Sequence, residues 1–351
     1  MVTLAYFVHG RGRGHGSRSK PVIAALREAG YRVVVFAGGD ALLTLKEDPE
    51  VRSVVTILPG PSAIIRTLKQ VPRARDQLRS LGARLLVTDG EGPSLLAAHS
   101  LRLPSIAIGH GLVFRYGEFQ GLPKSSLLRE SLNVASSSLG ATRKIAVHFA
   151  DVPSRDRSVR IARPDLVDLP AADYTSPPAD DGPLSVLCYF RDANGEATVT
   201  GLLQLGARVS LFGGQHFRGR SARSGVESGA ALPQGLECPD TRRSTFVASL
   251  LASHAVVASA GSNLLSECVA LSKPVLALYK ANDHEQRLNA LLVERANLGM
   301  ACAIELLSSD FIREFLNKVR RGTFARYPLL TVLPPVSHCV AQSVHEVLSA
   351  R

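Results

Sequence analysis

The second half of this chain contains a predicted helix start that is followed within a few residues by a carboxylate. The apolar run 256–258 ends at a glycine turn, and a helical pattern begins at Ser262 and Asn263, directly after Gly261. The first N–H groups of a helix have no intrahelical partner and carry a partial positive charge, which suits a diphosphate. Glu267 falls in the second turn of that helix, where its carboxylate can accept hydrogen bonds from two ribose hydroxyl groups. Both polar residues at the helix start also suit ordinary helix capping.

Further polar side chains follow the next buried strand of the pattern. That strand, Val275–Leu278, leads into a polar loop with Glu285 and Gln286, and Asn289 lies inside the helix after it. Each of these polar residues interrupts the apolar pattern where a sugar nucleotide would need one. Asn289 has a structural alternative, because its amide can satisfy the backbone of a loop.

The spacing of these residues resembles the donor-binding box of the GT-B glycosyltransferases. Gly261, Asn263 and Glu267 match that box together with the stretch Glu285–Ala290. The likeness extends to the peptidoglycan N-acetylglucosaminyltransferase that makes lipid II and to the plant and antibiotic glycosyltransferases. The resemblance implies that Glu267 holds the ribose and that the glutamate and glutamine at the start of the second stretch hold sugar hydroxyl groups.

A glycine-rich loop joins the first predicted strand to the first predicted helix, Ser19–Ala29. Its residues 9–18, HGRGRGHGSR, allow the backbone to turn sharply and to approach a ligand closely. The dinucleotide fingerprint GxGxxG fails because His15 occupies the third glycine position, so a dehydrogenase is disfavoured. The stretch 14–18 resembles instead the GHxxP or GGH loop of GT-B enzymes, with Arg18 in place of the proline.

The resemblance implies that His15 faces a cleft between two domains. A neutral imidazole there can take a proton from an acceptor hydroxyl while that oxygen attacks the anomeric carbon. The alternatives are a histidine that orders the loop or contacts phosphate. Asp89 ends the fourth predicted strand and can orient His15, bind the acceptor or cap the following helix. His110 ends the fifth strand and is a second candidate for the base or for an acceptor contact, whereas His9 is expected to be structural.

Three further observations concern the donor phosphates and the stereochemistry. Arg191 follows the strand Leu184–Phe190 in a loop that is expected to face the donor diphosphate, although a plain surface arginine fits as well. The sequence has no DxD pair, so the metal-dependent GT-A mechanism is not indicated and no metal site is expected. Ser259 lies where many relatives carry a phosphate-binding histidine and where retaining GT-B enzymes often carry a second glutamate. An inverting transfer is therefore favoured.

Strand and helix patterns alternate along the chain, which predicts an α/β fold with parallel sheets. The resemblance implies two Rossmann-like domains facing a cleft, which is the GT-B fold. We expect an acceptor-side domain at 1–170, a proline-rich linker at 171–183 and a nucleotide-sugar donor domain at 184–335. The resemblance also implies that a final helix, within 336–351, crosses back to the first domain.

The composition is that of a globular protein with a basic surplus. The 351 residues are 45% hydrophobic and 20% charged, and 41 Lys+Arg against 30 Asp+Glu give a net charge of +11. The surplus favours anionic partners, but the sequence has no RNA-binding aromatic signature and no zinc finger, so nucleic acid is not an expected partner. The basic segment Ile64–Leu86 suggests peripheral contact with an anionic membrane, with an ordinary packed helix as the alternative.

Several sequence features favour a reducing compartment. The five cysteines are scattered singly without CxxC spacing, and no apolar run approaches the ~20 residues that span a bilayer. The sequence begins with a strand pattern rather than a basic leader. A cytoplasmic protein, at most peripheral to the inner face of the cell membrane, is expected.

These observations together predict an inverting, metal-independent glycosyltransferase. Its donor would be a nucleotide-diphosphate sugar, most simply a UDP-sugar, and it would need no other cofactor. Two alternatives on the same fold are an enzyme like the UDP-N-acetylglucosamine 2-epimerases and a non-catalytic sugar-nucleotide-binding protein. The acceptor, either lipid-linked or a small molecule, is not predictable because acceptor loops vary most in such folds.

Overall fold

The chain forms two compact units, Met1–Val167 with Leu330–Arg351 and Asp168–Leu329. The computed structural model describes residues 1–11, 13–57, 63–166, 169, 182–190, 195–213, 232–325 and 332–350. Most of the predicted linker, residues 171–181, lies outside the described residues.

The first unit contains a parallel sheet covered by helices on both faces. Among the described residues, its strand order is β3-β2-β1-β4-β5-β6-β7. The strands are β1 (Thr3–Val8), β2 (Arg32–Ala37), β3 (Val51–Ser53), β4 (Leu85–Asp89), β5 (Ser105–Gly109), β6 (Arg143–Val147) and β7 (Val159–Ala162). The helices between them are α1 (Arg13–Glu28), α2 (Gly39–Leu45), α3 (Ala63–Leu81), α4 (Gly92–Ser100), α5 (Leu112–Tyr116) and α6 (Lys124–Asn133).

The second unit repeats this architecture with a separate sheet. Its strand order in the described part of the chain is β10-β9-β8-β11-β12-β13, and all pairs are parallel. The strands are β8 (Ser185–Tyr189), β9 (Arg208–Phe212), β10 (Leu236–Glu237), β11 (Ala255–Ser259), β12 (Val275–Tyr279) and β13 (Gly299–Ala303). The helices are α7 (Glu196–Gln204), α8 (Arg243–Ala252), α9 (Ser262–Ala270), α10 (His284–Arg295) and α11 (Ser309–Arg320).

The final helix, α12 (Val336–Ser349), belongs to the first unit. Its residues Val336, Val340 and Val344 are fully buried in the core that also holds side chains of α1 and β1. This packing confirms the expectation that the C-terminal helix returns to the first domain. The two Rossmann-like units together confirm the predicted fold class.

Alternation along β1 explains how one strand supports two cores. Leu4 and Tyr6 point into the core shared with α1 and α12, whereas Ala5 and Phe7 point into the core shared with α3 and α4. All of these side chains are buried, as expected for a central parallel strand that is covered on both faces.

The strand register brings three chain segments to one edge of the first sheet. Val8 pairs with Asp89, and Asp89 pairs with Ile108, so β1, β4 and β5 end at the same level. The residues that follow these strands therefore lie close together, at the carboxyl edge where open α/β sheets bind ligands.

The structure differs from the predicted elements at several points. Helix α1 begins at Arg13 rather than Ser19, so part of the predicted glycine loop is helical. A Cβ on Gly16 would lie 2.7 Å from Thr44 Cβ, which shows how closely this first turn packs on α2. Strands β7 and β13 had no predicted counterpart, because such short patterns resemble those of loops. Helix α11 was also not predicted, although its buried residues Ile312, Phe315, Leu316 and Val319 recur at helical spacing.

Candidate functional site

Asp89 is the centre of a polar cluster in the first unit. The cluster, called the Asp89 cluster below, consists of Asp89, His15, Arg18, Ser19 and His110. Arg18 Nε donates to Asp89 Oδ2 at 2.9 Å, and Arg18 Nη2 donates to Asp89 Oδ1. His15 Nδ1 lies 2.8 Å from Oδ1, and Ser19 Oγ donates to Oδ2 at 3.4 Å. The fully buried carboxylate is thus held from two sides.

The Asp89 carboxyl group is ionised at neutral pH. Burial by itself would raise its pKa, but the positive charge of Arg18 and the hydrogen bonds from Arg18 and His15 outweigh burial. The pKa of Asp89 is therefore held well below its usual range.

His15 is held as a neutral imidazole with one defined tautomer. An ionised carboxylate can only accept, so His15 Nδ1 must donate to Asp89 Oδ1, which leaves the lone pair on Nε2. Burial lowers the pKa of His15 and outweighs the opposing effect of Asp89. The ring is partly exposed, with 20% of its side-chain surface accessible. This is the protonation state that a general base requires.

Asp89 orients His15 and does not cap the following helix. The cap of α4 is Glu91, whose side chain accepts from Ser94 N at 2.8 Å. Gly90, directly after Asp89, adopts φ +69°, and a Cβ there would lie 3.0 Å from His15 Cε1. Glycine at this position therefore leaves room for the imidazole.

The other two histidines flank His15. His110 Nδ1 lies 2.9 Å from Arg18 Nη1, and its ring centroid is 6.1 Å from that of His15. His9 packs edge-on against His15 with ring centroids 5.3 Å apart. Burial, assisted by the nearby His15, lowers the pKa of His9 to about 4. The imidazole of His9, which packs against His15, is therefore neutral at neutral pH.

The first turn of α1 positions this chemistry, which the sequence pattern assigned to a loop. His15 and Arg18 are three residues apart in α1, so both project toward Asp89 from one helix face. Arg18 and Ser19 were not among the predicted site residues. The signal that could have found Arg18 is its position in a glycine loop motif where proline is typical.

In the second unit, helix α9 begins directly after Gly261. Gly261 is the N-cap residue in an extended conformation and makes no side-chain cap hydrogen bond. The expected capping by Ser262 and Asn263 is therefore wrong, because both lie within the first helical turn. Asn263 Oδ1 is buried and accepts no hydrogen bond from the part of the chain that the structure describes. We call residues 261–267 and 285–289 the donor box.

Glu267 forms an ion pair that the sequence did not predict. Its Oε1 lies 2.9 Å from Arg243 Nη1, with 13% of the glutamate side chain and 43% of the arginine side chain exposed. The guanidinium also lies over the ring of Phe246 at 5.8 Å from the centroid. Arg243 begins α8, which precedes the donor box in the chain, and only the folded structure brings its charge to Glu267.

Glu285 and Gln286 lie in a helix and not in a loop as predicted, whereas Asn289 lies inside that helix as expected. Asp283 caps α10 by accepting from Gln286 N at 3.0 Å, so Glu285 and Gln286 lie in its first turn. Asn289 is fully buried and donates from Nδ2 to Ala260 O at 3.0 Å. Its amide therefore links α10 to the turn before α9 and satisfies a backbone carbonyl there, which is the structural role considered for Asn289 from the sequence. Arg191 lies outside the described residues.

Comparisons with known proteins bear on the family and the fold of this chain. The profile of the family described as glycosyl transferase family 1 matches residues 232–320, which contain the donor box. The structure of MurG from Acinetobacter baumannii superposes with a TM-score of 0.66 at 17% identity, covering 99% of this chain and 100% of that one. This chain is a glycosyltransferase with the GT-B fold. No curated protein matches its sequence.

Other solved structures extend the likeness of this glycosyltransferase to antibiotic enzymes. The glycotransferase of kitacinnamycin gives a TM-score of 0.65 at 16% identity and covers 98% of each chain. The glycosyltransferase VinC, solved in complex with dTDP, gives 0.64 at 14% identity and covers 99% of each chain. Among the helices of the described residues, none has the length and apolar character needed to cross a bilayer.

Proposed function

We propose that this glycosyltransferase transfers a sugar from a UDP-sugar to an acceptor hydroxyl with inversion, using neither a metal ion nor a cofactor. The observation that carries the proposal is the neutral His15 bonded through Nδ1 to an ionised Asp89. His15 Nε2 removes the hydroxyl proton as the oxygen attacks the anomeric carbon. The bond to the diphosphate breaks and its electron pair leaves with the phosphate oxygen. Asp89 stabilises the imidazolium that results.

The donor box supports the placement of the nucleotide diphosphate. The α9 N-terminus has no side-chain cap, so its backbone N–H groups and helix dipole can meet the charge that develops on the leaving group. Glu267 would accept from the ribose hydroxyl groups, and Glu285 and Gln286 would contact the sugar. Because Arg243 pairs with Glu267 at 2.9 Å, ribose binding would share that carboxylate with the arginine.

Two observations bear on the finer chemistry. Ser259 lies where a retaining enzyme would carry a second glutamate, and the sequence has no DxD pair, which favours inversion without a metal. The structures of VinC with dTDP and of a spinosyn rhamnosyltransferase with thymidine diphosphate make dTDP-sugars the main competitor to UDP-sugars.

A thermal-shift panel of UDP, dTDP, GDP and ADP, each with its common sugars, tests the donor. A ligand at a hundred times its Kd stabilises the folded state by about 2.7 kcal/mol, so the preferred nucleotide should raise the melting temperature clearly. UDP should give the largest rise. The Glu267→Ala variant should lose this rise, whereas Glu314→Ala, which removes an exposed α11 carboxylate, should keep it. Equal rises in both variants would remove Glu267 from the nucleotide site.

Turnover of the preferred donor distinguishes this proposal from its alternatives. Transfer to members of an acceptor panel, with the anomeric configuration of the product read by NMR, should show inversion. Exchange of the C2 hydrogen without an acceptor would instead identify an epimerase. Nucleotide binding without turnover of any donor would identify a non-catalytic sugar-nucleotide-binding protein.

We further propose that the acceptor is lipid-linked and is met at the inner face of the cell membrane. The first turns of α3 expose Ile64, Ile65 and Leu68 at 75%, 58% and 59% of their surfaces, beside the exposed Arg66 and Lys69. Exposed apolar side chains among basic ones suit an anionic lipid surface.

Flotation with vesicles tests this membrane contact. The wild type should float with anionic vesicles at low salt and less at physiological salt. The triple variant with serine at 64, 65 and 68 should not float, whereas the control Leu43→Ser, on the exposed face of α2, should behave as wild type. If the wild type floats at neither salt concentration, the membrane contact is excluded.

A further inference from the structure

Arg18 contacts several members of the Asp89 cluster and not Asp89 alone. Two of its guanidinium nitrogens bond the two oxygens of Asp89, and the third, Nη1, lies 2.9 Å from His110 Nδ1. Its Nη2 also lies 3.1 Å from His15 Nδ1. The guanidinium is buried and bonds both the carboxylate and His110, while His15 is bonded to the same carboxylate.

These contacts give the two imidazole rings opposite hydrogen-bonding polarity. A guanidinium only donates, so His110 Nδ1 must accept and the neutral ring carries its proton on Nε2. The carboxylate of Asp89 only accepts, so His15 Nδ1 must donate and its lone pair lies on Nε2. The Nη2 proton goes to Asp89 Oδ1, because His15 Nδ1 has no lone pair to receive it.

We propose that Arg18 is a positioning residue that makes His110 a hydrogen-bond donor and keeps His15 a proton acceptor. The proposal rests on the proposed function, in which His15 takes the proton of the attacking hydroxyl. His110 then donates to a second oxygen of the acceptor and is not the base. With the two ring centroids 6.1 Å apart, the pair suits an acceptor that carries neighbouring oxygens, as a polyol or a sugar ring does.

Charge and shape of Arg18 are separable by substitution. The groups that face His15 are Asp89 from β4, Arg18 from α1, His110 after β5 and His9 after β1. Arg18→Lys keeps a positive charge near His15 but has a single nitrogen, which cannot reach both Asp89 oxygens and His110. Arg18→Met removes the charge and the hydrogen bonds together.

Nitrogen NMR of the full-length protein labelled with ¹⁵N-histidine tests this assignment without any substrate. Signals are assigned by their loss in His15→Gln and His110→Gln. In the wild type, long-range proton–nitrogen spectra at neutral pH should show His15 protonated on Nδ1 and His110 protonated on Nε2. In Arg18→Lys, the chemical shift of His110 Nδ1 should change as expected for the loss of its hydrogen bond to Arg18. The pH at which His15 titrates should stay as in the wild type.

The Arg18→Met variant completes the experiment. Without the arginine charge, His15 should titrate at a higher pH than in the wild type, because one of the charges that lower its pKa is removed while burial and Asp89 still act on it. A thermal melt checks that each variant is folded. If a variant is unfolded, the protonated nitrogens seen in the wild-type spectrum still test the assignment of the two rings.

Two results would overturn the proposal. One is His15 protonated on Nε2 or His110 protonated on Nδ1 in the wild type. The other is a folded Arg18→Met variant in which both rings behave as in the wild type. If the two rings show the predicted tautomers but the protein binds no nucleotide, the proposed function is refuted and the role of Arg18 in the cluster stands.

Discussion

The Asp89 cluster and the donor box solve different physical problems. In the Asp89 cluster, a fully buried carboxylate is bonded through both oxygens to one buried arginine and to His15. In the donor box, the carboxylate of Glu267 meets an arginine with 43% of its side chain exposed, and the helix start has no side-chain cap. The Nδ1 proton of His15 must stay on its nitrogen so that Nε2 remains free to accept a proton, whereas a nucleotide must bind and leave. The rigid network therefore suits the chemistry, and the exchangeable contacts suit binding.

Asp89→Asn should be the most damaging single change in either region. It leaves the guanidinium of Arg18 buried without a counter-charge, which typically costs about 3–5 kcal/mol of folding free energy. Chemical denaturation measures the loss. The matched control is Glu50→Gln in the same unit, whose partly exposed pair with Arg32 should be worth no more than about 1 kcal/mol. Equal losses for the two variants would show that burial does not distinguish the Asp89 cluster.

Glu267→Ala should have the largest effect within the donor box. The variant loses a charged hydrogen bond to the ribose, worth roughly 1.5–3 kcal/mol, or on the order of ten- to a hundredfold in nucleotide affinity. Calorimetry with UDP measures it. The fold should persist, because Arg243, which loses its partner, has 43% of its side chain exposed and is not left as a buried charge. Unchanged affinity would contradict the assignment of Glu267 to the ribose.

The pH dependence of stability should report the neutral histidines around Asp89. The folded pKa of His9 is about 4, below the ordinary value of 6.5, so the unfolded state binds the proton more readily. Its contribution is complete above pH 6.5 and is lost as pH falls through about 4. The loss should be on the order of 3 kcal/mol. His9→Asn should remove this part of the slope, and parallel curves for wild type and variant would contradict it.

Arg243→Ala should have the smallest effect of the four. Because 43% of the arginine side chain is exposed, its pair with Glu267 should be worth about 0.2–1 kcal/mol, and UDP affinity should change only a fewfold in either direction. Calorimetry beside Glu267→Ala gives the comparison. A loss as large as that of Glu267→Ala would mean that the arginine itself contacts the nucleotide or is essential to orient the carboxylate.

The sequence predicted those site residues whose position follows from strand ends. Asp89 and His110 end buried strands, and parallel strands place such residues at one sheet edge, so their proximity could be expected. The start of α9 was predictable for the same reason, because it follows β11 directly.

The contacts that the two arginines make were not predictable, and the reason is physical. Arg18 and Arg243 reach their partners through long flexible side chains, and the partners lie 71 residues away in one case and on a different helix in the other. Such contacts depend on helix phase and strand register together, which no local pattern records. The early start of α1 escaped prediction similarly, since glycines disfavour helix locally while tertiary packing of Gly16 on Thr44 stabilises it.

The central claim is that His15 is the base for transfer, and His15→Ala tests it most directly. With the donor and acceptor found in the panels, the variant should lower kcat by ~10²–10⁴-fold while UDP affinity stays unchanged. The acid limb of the wild-type pH–rate profile should lie below the ordinary histidine pKa and should vanish in the variant. His338→Ala, an exposed histidine of α12, is the control. Near-normal turnover with an unchanged pH profile would contradict the account and would make His110 or Asp89 the next candidate.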